Sequence, residues 1–329
     1  MEMVRMSKKR AVLTGATGFV GAMLARRLLR EGHEVHLLVR TEHAAWRIAA
    51  IRDAVQLHTV NLGDAEALTQ TIAAIRPDWI FHLAAYGAYS SQTDVHRIYH
   101  TNLTSTINLL EACLKTGFEA FINTGSSSEY GFKDHAPHEK EWVDPNSTYA
   151  AAKVAATLYC RHTAQKHKAH IATLRLYSVY GAYEEPTRLI PTLIIKGLRG
   201  ELPPLVNPNI ARDYIYAEDV NDAYLQAATM PAPEPGAVYN IGTGVQTSLR
   251  EVVDAAREIM NIQVEPDWGS MPDRQWDTNV WVSDPSAAAQ ALGWRAGHDF
   301  RGGLQKTVQW FRDNPDIIRY YEENRTLPK

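Results

Sequence analysis

A chain of 329 residues, 45% of them hydrophobic, buries a large core and fills one big domain or two that share an interface, which excludes a single small module. The formal net charge of −3 gives no bulk electrostatic reason to seek nucleic acid or an anionic membrane, so a small ligand is expected and any anion must meet a local site. Two cysteines, Cys113 and Cys160, lie far apart without paired spacing, which disfavours a disulfide framework or zinc knuckle and fits a reducing cytoplasm.

Met1 to Arg10 is too short and polar for a signal-peptide core, and no run of about 18 apolar residues occurs, so a cytoplasmic protein with no membrane span is expected. Lys8, Lys9 and Arg10 read as a solvated lead-in to the first strand. Residues 11–13, 35–39, 55–60, 79–83, 120–123 and 171–176 read as strands, and the amphipathic stretches 20–30, 66–74, 102–115 and 149–167 between them as helices. This alternation predicts an α/β fold, a doubly wound parallel sheet covered on both faces. After about residue 180 the pattern loosens, with Pro186, Pro191, Pro203, Pro204 and Pro208 punctuating the chain and Pro231, Pro233 and Pro235 marking a surface loop. Residues 249–260 and 303–312 still read as helices. The expected division is a dinucleotide-binding domain over 1–180 and a smaller α/β substrate lobe over 181–329, with a segment near 213–245 returning to the first domain.

Residues 11–21 read AVLTGATGFVG, a strand that runs through Gly15, Gly18 and Gly21 into a helix. Glycines permit the tight turn and let backbone amides approach a pyrophosphate, and the helix N-terminus supplies favourable partial charge. A dinucleotide is expected there. An NAD site usually places a carboxylate at the end of the second strand, whereas this chain has Val39 and Arg40, which favours the 2′-phosphate of NADP(H) over NAD(H).

Tyr149-Ala-Ala-Ala-Lys153 puts a phenol and an ammonium on one helix face, and none of the other 14 of the 15 tyrosines has a lysine four positions on. A phenol of ordinary pKa near 10 stays protonated at neutral pH; a neighbouring cation is expected to lower it and allow proton transfer with a sugar oxygen. Ser126, in NTGSSSEYG at the C-terminal end of a strand, supplies a hydroxyl able to bond both the substrate oxygen and Tyr149.

TGATGFVG, FHLAA, Asn102, the Ser126 segment, YAAAK and RDYIYAEDV occur in the order seen in the extended short-chain dehydrogenases, and the chain resembles the NAD-dependent epimerase/dehydratase family of nucleotide-sugar enzymes over almost its whole length. The resemblance implies Ser126, Tyr149 and Lys153 as the catalytic triad. It implies a cofactor path along the first loop at Gly15, Thr17, Gly18, Phe19, Val20 and Gly21, past Arg40, Asn61 and Leu62, then His82, Leu83, Ala84, Ala85 and Asn102, with Tyr149, Lys153, Tyr177 and Val179 closing the nicotinamide end. It implies Ser127, Ser178, Arg212 and Arg274 on the substrate, the two arginines at its diphosphate. In the second lobe Trp276, Asp277, Thr278 and Trp281 either shape the sugar or base pocket or, as often for tryptophans, simply pack. A homodimer pairing helices 102–115 and 149–167 is also implied.

Sugar-nucleotide 4,6-dehydratases carry an Asp-Glu pair after the triad Ser/Thr, where this chain has Ser127 and Ser128; Glu129 comes one position late. Hydroxyls of ordinary acidity do not replace two carboxylates in an elimination, so dehydration is disfavoured. GSSSEYG is similar to the segment of GDP-4-keto-6-deoxymannose reductases, and with Arg40 it favours 4-keto-sugar reduction by an exchanging NADPH; the alternative is a nucleotide-sugar epimerase holding NAD tightly. Ser178 stands where relatives commonly have an Asn that reaches the substrate phosphate. An alternative of another class is a non-catalytic dinucleotide-binding regulator, against which the intact triad argues. His162, His167 and His170 do not have the spacing of a metal-binding helix, and no metal is expected.

Overall fold

The computed structural model describes residues 7–89, 91–272 and 278–324. Its first half alternates strand and helix as the hydrophobic periodicity requires: β1 (Arg10–Thr14), α1 (Phe19–Arg30), β2 (Glu34–Val39), β3 (Gln56–Thr59), α2 (Ala65–Ile75), β4 (Trp79–His82), α3 (Val95–Tyr99), α4 (Ser105–Thr116), β5 (Ala120–Ser126), α5 (Thr148–His167) and β6 (Ile171–Leu176). There follow β7 (Ser178–Tyr180), α6 (Leu189–Gly197), β8 (Ala211–Arg212), β9 (Tyr214–Tyr216), α7 (Ala217–Thr229), β10 (Val238–Ile241), β11 (Thr247–Ser248), α8 (Leu249–Met260), α9 (Ser286–Leu292), α10 (Phe300–Asp313) and α11 (Pro315–Glu323).

Seven strands form one sheet in the order β10-β6-β5-β4-β1-β2-β3, every pair parallel. The doubly wound sheet expected from the alternation is therefore present, with a smaller C-terminal lobe. Strand order reverses between β1 and β4, and the loops leaving their C-terminal ends open a crevice at that switch point. Nearly continuous apolar runs such as Ala11–Leu13 mark strands covered on both sides. One face packs against α1, α7 and α9 through Leu24, Leu28, Val220, Tyr224 and Trp294; the other packs against α2, α4 and α5 through Leu68, Ile72, Leu109, Leu110 and Cys160. The lobe has its own core, where Leu193, Val252, Leu304 and Phe311 bring α6, α8 and α10 together.

Two local departures from the sequence reading have clear causes. The helix expected over 102–115 starts earlier, at Val95, because the Asp94 side chain caps it by accepting from the Arg97 amide, and it passes through a π-helical turn at His100–Thr104 before α4. The strand expected over 120–123 runs on to Ser126, pairing with β6 through Ser126↔Leu176. Helix α7 was not legible as a periodic stretch because nearly all of it is buried, Asp219 and Asn221 included. No helix of the described residues is long and apolar enough to cross a membrane.

Asp213, fully buried between β8 and β9, ties the lobe to the sheet. Its Oδ1 accepts from the Thr243 amide and hydroxyl, both at 2.7 Å, and its Oδ2 from the Gly244 and Ser283 amides, both at 3.0 Å. An amide in that place has one acceptor oxygen and turns two donors toward donors. Asp213→Asn is expected to destabilise the fold by about 3 kcal/mol, read as a lower urea midpoint at unchanged slope.

Candidate active site

The crevice is built around Thr14, the last residue of β1. Its Oγ1 accepts from the amides of Leu83 and Ala84, each at 3.1 Å, so both lone pairs are engaged and the hydroxyl hydrogen is left for His82 Nδ1 at 2.7 Å. His82 therefore carries its proton on Nε2 and donates it to Thr106 Oγ1 at 2.9 Å, which in turn donates to the Asn102 carbonyl. Burial drives the His82 imidazole down to about 3, so the ring stays neutral and this chain of donors holds its direction. His82 lies behind the crevice edge and orders it through Thr14 and Thr106.

Gly15 turns into the left-handed region at φ 69°, and a Cβ there would lie 2.5 Å from the Leu83 carbonyl carbon. Gly21 is the second constrained position: its Cβ would stand 2.4 Å from the Gly15 carbonyl oxygen, so only glycine lets α1 approach the turn this closely. Helix α1 starts after Gly18 with no side chain capping its first turn, which leaves its end shaped for an anion. Thr17, Phe19 and Val20 line this turn half-buried. Across the crevice, Leu83 and Ala84 are half-buried and Ala85 exposed. Asn102 does not offer its amide to a ligand: Oδ1 accepts from the Tyr86 amide at 3.2 Å, and Nδ2 donates to the carbonyls of Tyr86 at 2.6 Å and Ile98 at 2.9 Å. It pins the loop that follows Ala85.

The adenosine end is open. Arg40 is exposed beyond β2, its carbonyl accepting from His43 Nδ1 at 2.7 Å. Asn61 caps the Gly63 amide, and the Leu62 carbonyl accepts from Asn108. Sequence reasoning missed Arg47, a buried guanidinium that donates to the Tyr183 carbonyl at 2.8 Å, to Glu185 at 2.9 Å and to the Thr17 carbonyl at 3.4 Å. It ties the segment after β2 to the glycine turn and to the loop after β7. These residues fit a dinucleotide: a glycine turn that any Cβ would fill, an uncapped helix end beside it and a cation at its far end.

Ser147 starts α5 by accepting from the Ala150 amide at 3.1 Å, which sets Tyr149 and Lys153 on successive turns. The expected lowering of the Tyr149 phenol is not realised. Its burial pushes it up to about 12; a hydrogen bond from Ser126 opposes the shift, and the charges of Glu129 and Tyr89 add to it. Lys153 contributes nothing because its ammonium is turned to the Thr124 carbonyl, 2.7 Å away. Burial lowers Lys153 itself to about 8.

Ser126 accepts from the Ser128 amide and shares a 2.7 Å hydrogen bond with the Ser128 hydroxyl. Glu129 is turned away from the crevice. Its Oε1 accepts from the Ser126 amide and its Oε2 from Arg175 Nε, both at 2.9 Å, and it is fully buried. No shift of this loop frees it as a base without unpairing Arg175, so it shapes the site instead.

On the far side a cavity of about 490 Å³ opens beside β7. Ser178, Val179, Arg212 and Tyr214 line its floor, and Pro203, Leu205, Ile210 and Leu249 its apolar wall. Val179 also packs with Phe19 and Met23 of α1, joining cavity to crevice. Arg212 donates to the carbonyls of Ala211 and Thr278, and its guanidinium lies 5.5 Å from the Trp281 ring centre. Ser127 accepts from Trp281 Nε1 at 3.2 Å, and Tyr177 lines a second recess together with both. Arg274, Trp276 and Asp277 lie outside the described residues. Glu184, absent from the sequence reading, lines the cavity, and its Oε2 has no hydrogen-bond partner among the described residues. Nothing in EEPTR distinguishes it in sequence, and Tyr321 of α11, whose phenol donates to the Glu184 carbonyl, reaches it from the far end of the chain.

Comparison with known proteins identifies the family and agrees with the fold. The model of the NAD dependent epimerase/dehydratase family matches residues 11–242. The chain is 31% identical to UDP-glucose 4-epimerase of Mycolicibacterium smegmatis over 318 residues, covering 92% of this chain and 99% of that protein. Among solved structures, UDP-glucose 4-epimerase of Thermotoga maritima with UDP-glucose is similar with a TM-score of 0.83 at 26% identity, covering 93% of this chain and 99% of that one. The complex of Thermus thermophilus UDP-glucose 4-epimerase with NAD is similar with a TM-score of 0.80 at 28% identity, covering 92% and 99%.

Burial pushes the Glu184 carboxyl from its ordinary 4.5 up to about 8, against the pull of Arg188 and Arg47 and with Glu185 adding to the rise. Between those values the folded chain keeps a proton that the unfolded chain has released. Stability therefore falls as pH rises toward 8, by at most about 1.4 kcal/mol per pH unit from this group, and levels off above it. Urea titrations of Glu184→Gln across that window are expected to show a flatter profile than the parent.

Proposed function

Because the chain belongs to the NAD-dependent epimerase/dehydratase family, we propose that it interconverts the C4 epimers of a UDP-linked hexose on a resident NAD. The observation that carries this reading is the set of proton-handling groups at the crevice. A phenol and a hydroxyl meet there at Tyr149 and Ser126, while the Glu129 carboxylate beside them is held by Arg175 and the Ser126 backbone. Such a set serves alcohol and ketone interconversion, in which one proton moves on and off a single oxygen. A 4,6-elimination needs an acid and a base at neighbouring carbons, and Ser127 and Ser128 supply neither. The likeness to UDP-glucose 4-epimerases supports inversion over net reduction.

A dinucleotide held at the glycine turn and the Leu83–Ala84 edge would supply reversible hydride transfer at C4. Tyr149 takes the O4 proton as the alcohol becomes a ketone and gives it back as the ketone is reduced. Ser126 holds O4 beside the phenol, and Lys153, an ammonium below about 8, balances the phenolate. Arg212 and Ser178 hold the diphosphate in a cavity whose volume of about 490 Å³ gives the keto sugar room to present either face. The glycine turn and the Leu83–Ala84 edge hold the cofactor, which Arg47 helps retain by fastening the Thr17 turn to the Tyr183 loop.

A second reading, net 4-keto reduction with an exchanging NADPH, rests on Arg40, whose exposed guanidinium suits a 2′-phosphate. Pairing of two chains through α4 and α5 accounts for Leu158, an apolar side chain 57% exposed on α5.

The purified protein is expected to convert UDP-glucose and UDP-galactose into each other without added nicotinamide and with no net change in nicotinamide absorbance. Consumption of NADPH in step with product favours the second reading. Tyr149→Phe should lower turnover by about 10²–10⁴-fold while the protein still retains its dinucleotide, measured on the extracted cofactor.

A further inference from the structure

Glu184 is 6% exposed and lies in the wall of the cavity, not in a closed core. Arg188 Nε stands 3.9 Å from its Oε1 and the Gly181 backbone also bonds the carboxyl, while its Oε2 has no partner among the described residues. A buried polar atom without a partner is rare in a folded protein, and one that borders an open cavity is placed for a ligand. Its neighbours locate the part of the cavity it serves. Arg188, which reaches toward Glu184, also stands 5.8 Å from the ring centre of Tyr89 on the loop after β4. Glu184 thus lies on the side of the cavity nearest Tyr89.

We propose that Glu184 is a specificity-determining residue whose unpartnered carboxyl oxygen bonds one ring or exocyclic hydroxyl of the sugar, so that the site selects a fully hydroxylated nucleotide hexose over the analogue deoxygenated at that position. This rests on the nucleotide-sugar reading above and narrows its substrate class. A carboxyl held in its acid form by burial offers one donor and further acceptors, so it meets a hydroxyl in either sense. A sugar lacking that hydroxyl leaves the carboxyl orphaned in the complex, which is how a polar site rejects an otherwise fitting ligand.

The test is calorimetric binding of UDP, dTDP, UDP-glucose and its 2-, 3- and 6-deoxy analogues to the protein with its retained cofactor, to Glu184→Gln and to Glu184→Met. Melting temperatures establish that each variant is folded; the glutamine keeps both a donor and an acceptor if the methionine fails to fold. The expected result has three parts. UDP binds all three proteins alike, Glu184→Met binds UDP-glucose about tenfold or more weakly than the parent, and one deoxy analogue, weak on the parent, shows no further loss on Glu184→Met. Glu184→Gln is expected to stay close to the parent on UDP-glucose. Equal affinity of the parent and Glu184→Met for UDP-glucose overturns the proposal, as does a loss of the same size for UDP, which marks a residue acting on the fold. Should the methionine not fold, the parent's discrimination among the deoxy analogues decides, and equal binding of all of them overturns it. If the parent binds neither UDP nor dTDP, the nucleotide-sugar reading itself fails and this assignment falls with it.

Discussion

The Thr14 hydroxyl has one hydrogen and two lone pairs, and the fold engages all three at the point where the sheet reverses. Because the lone pairs take the amides of Leu83 and Ala84, the ends of β1 and β4 are locked side by side and the crevice between their loops has a fixed width. Because the hydrogen goes to His82, the imidazole must be neutral and must donate toward Thr106, and the ordering passes through the sheet to the π-turn at Asn102. Asn102 then grips Tyr86 at both ends of its peptide, which sets the loop carrying Tyr89 toward Tyr149. The end of β1 and the loop after Ala85 are thus coupled by one buried line of hydrogen bonds, each with a single permitted direction.

Buried charge is used here to shape as well as to react. Glu129 and Arg175 neutralise each other beneath β5, and the same carboxylate holds the Ser126 amide, so the reactive hydroxyl sits on a rigid 3₁₀ turn. Removing either partner leaves a charge without water or counter-ion, which is why this pair is hard to recruit for chemistry. Lys153 and Tyr149 are burdened differently. Burial lowers one and raises the other, so each is shifted toward its neutral form, the phenol fully and the ammonium only above about pH 8.

The doubly wound sheet was legible in the sequence because its strands are short apolar runs separated by amphipathic helices, and that periodicity survives without any tertiary information. The glycine turn was legible for a similar reason: Gly15 and Gly21 answer local steric demands. Roles set by long-range packing were not. Asn102 reads as a cofactor residue until the π-turn directs its amide inward, and Glu129 reads as a displaced base until Arg175 is brought beside it from β6. Arg47 and Glu184 gave no signal at all, since the groups that bond them come from the Tyr183–Glu185 loop and from α11 at the end of the chain. The expected effect of Lys153 on Tyr149 failed because sequence spacing fixes a helix face and not where a flexible ammonium points.

The central claim is that hydrogen leaves and returns to one carbon of the sugar within a closed site, with Tyr149 moving the oxygen-bound proton. The fate of deuterium tests it most directly. UDP-galactose deuterated at C4, incubated with the protein as purified and without added nicotinamide, should yield UDP-glucose that keeps its deuterium at C4. Loss of that deuterium to solvent, or no inversion until a reduced nicotinamide is supplied in stoichiometric amount, would contradict the account.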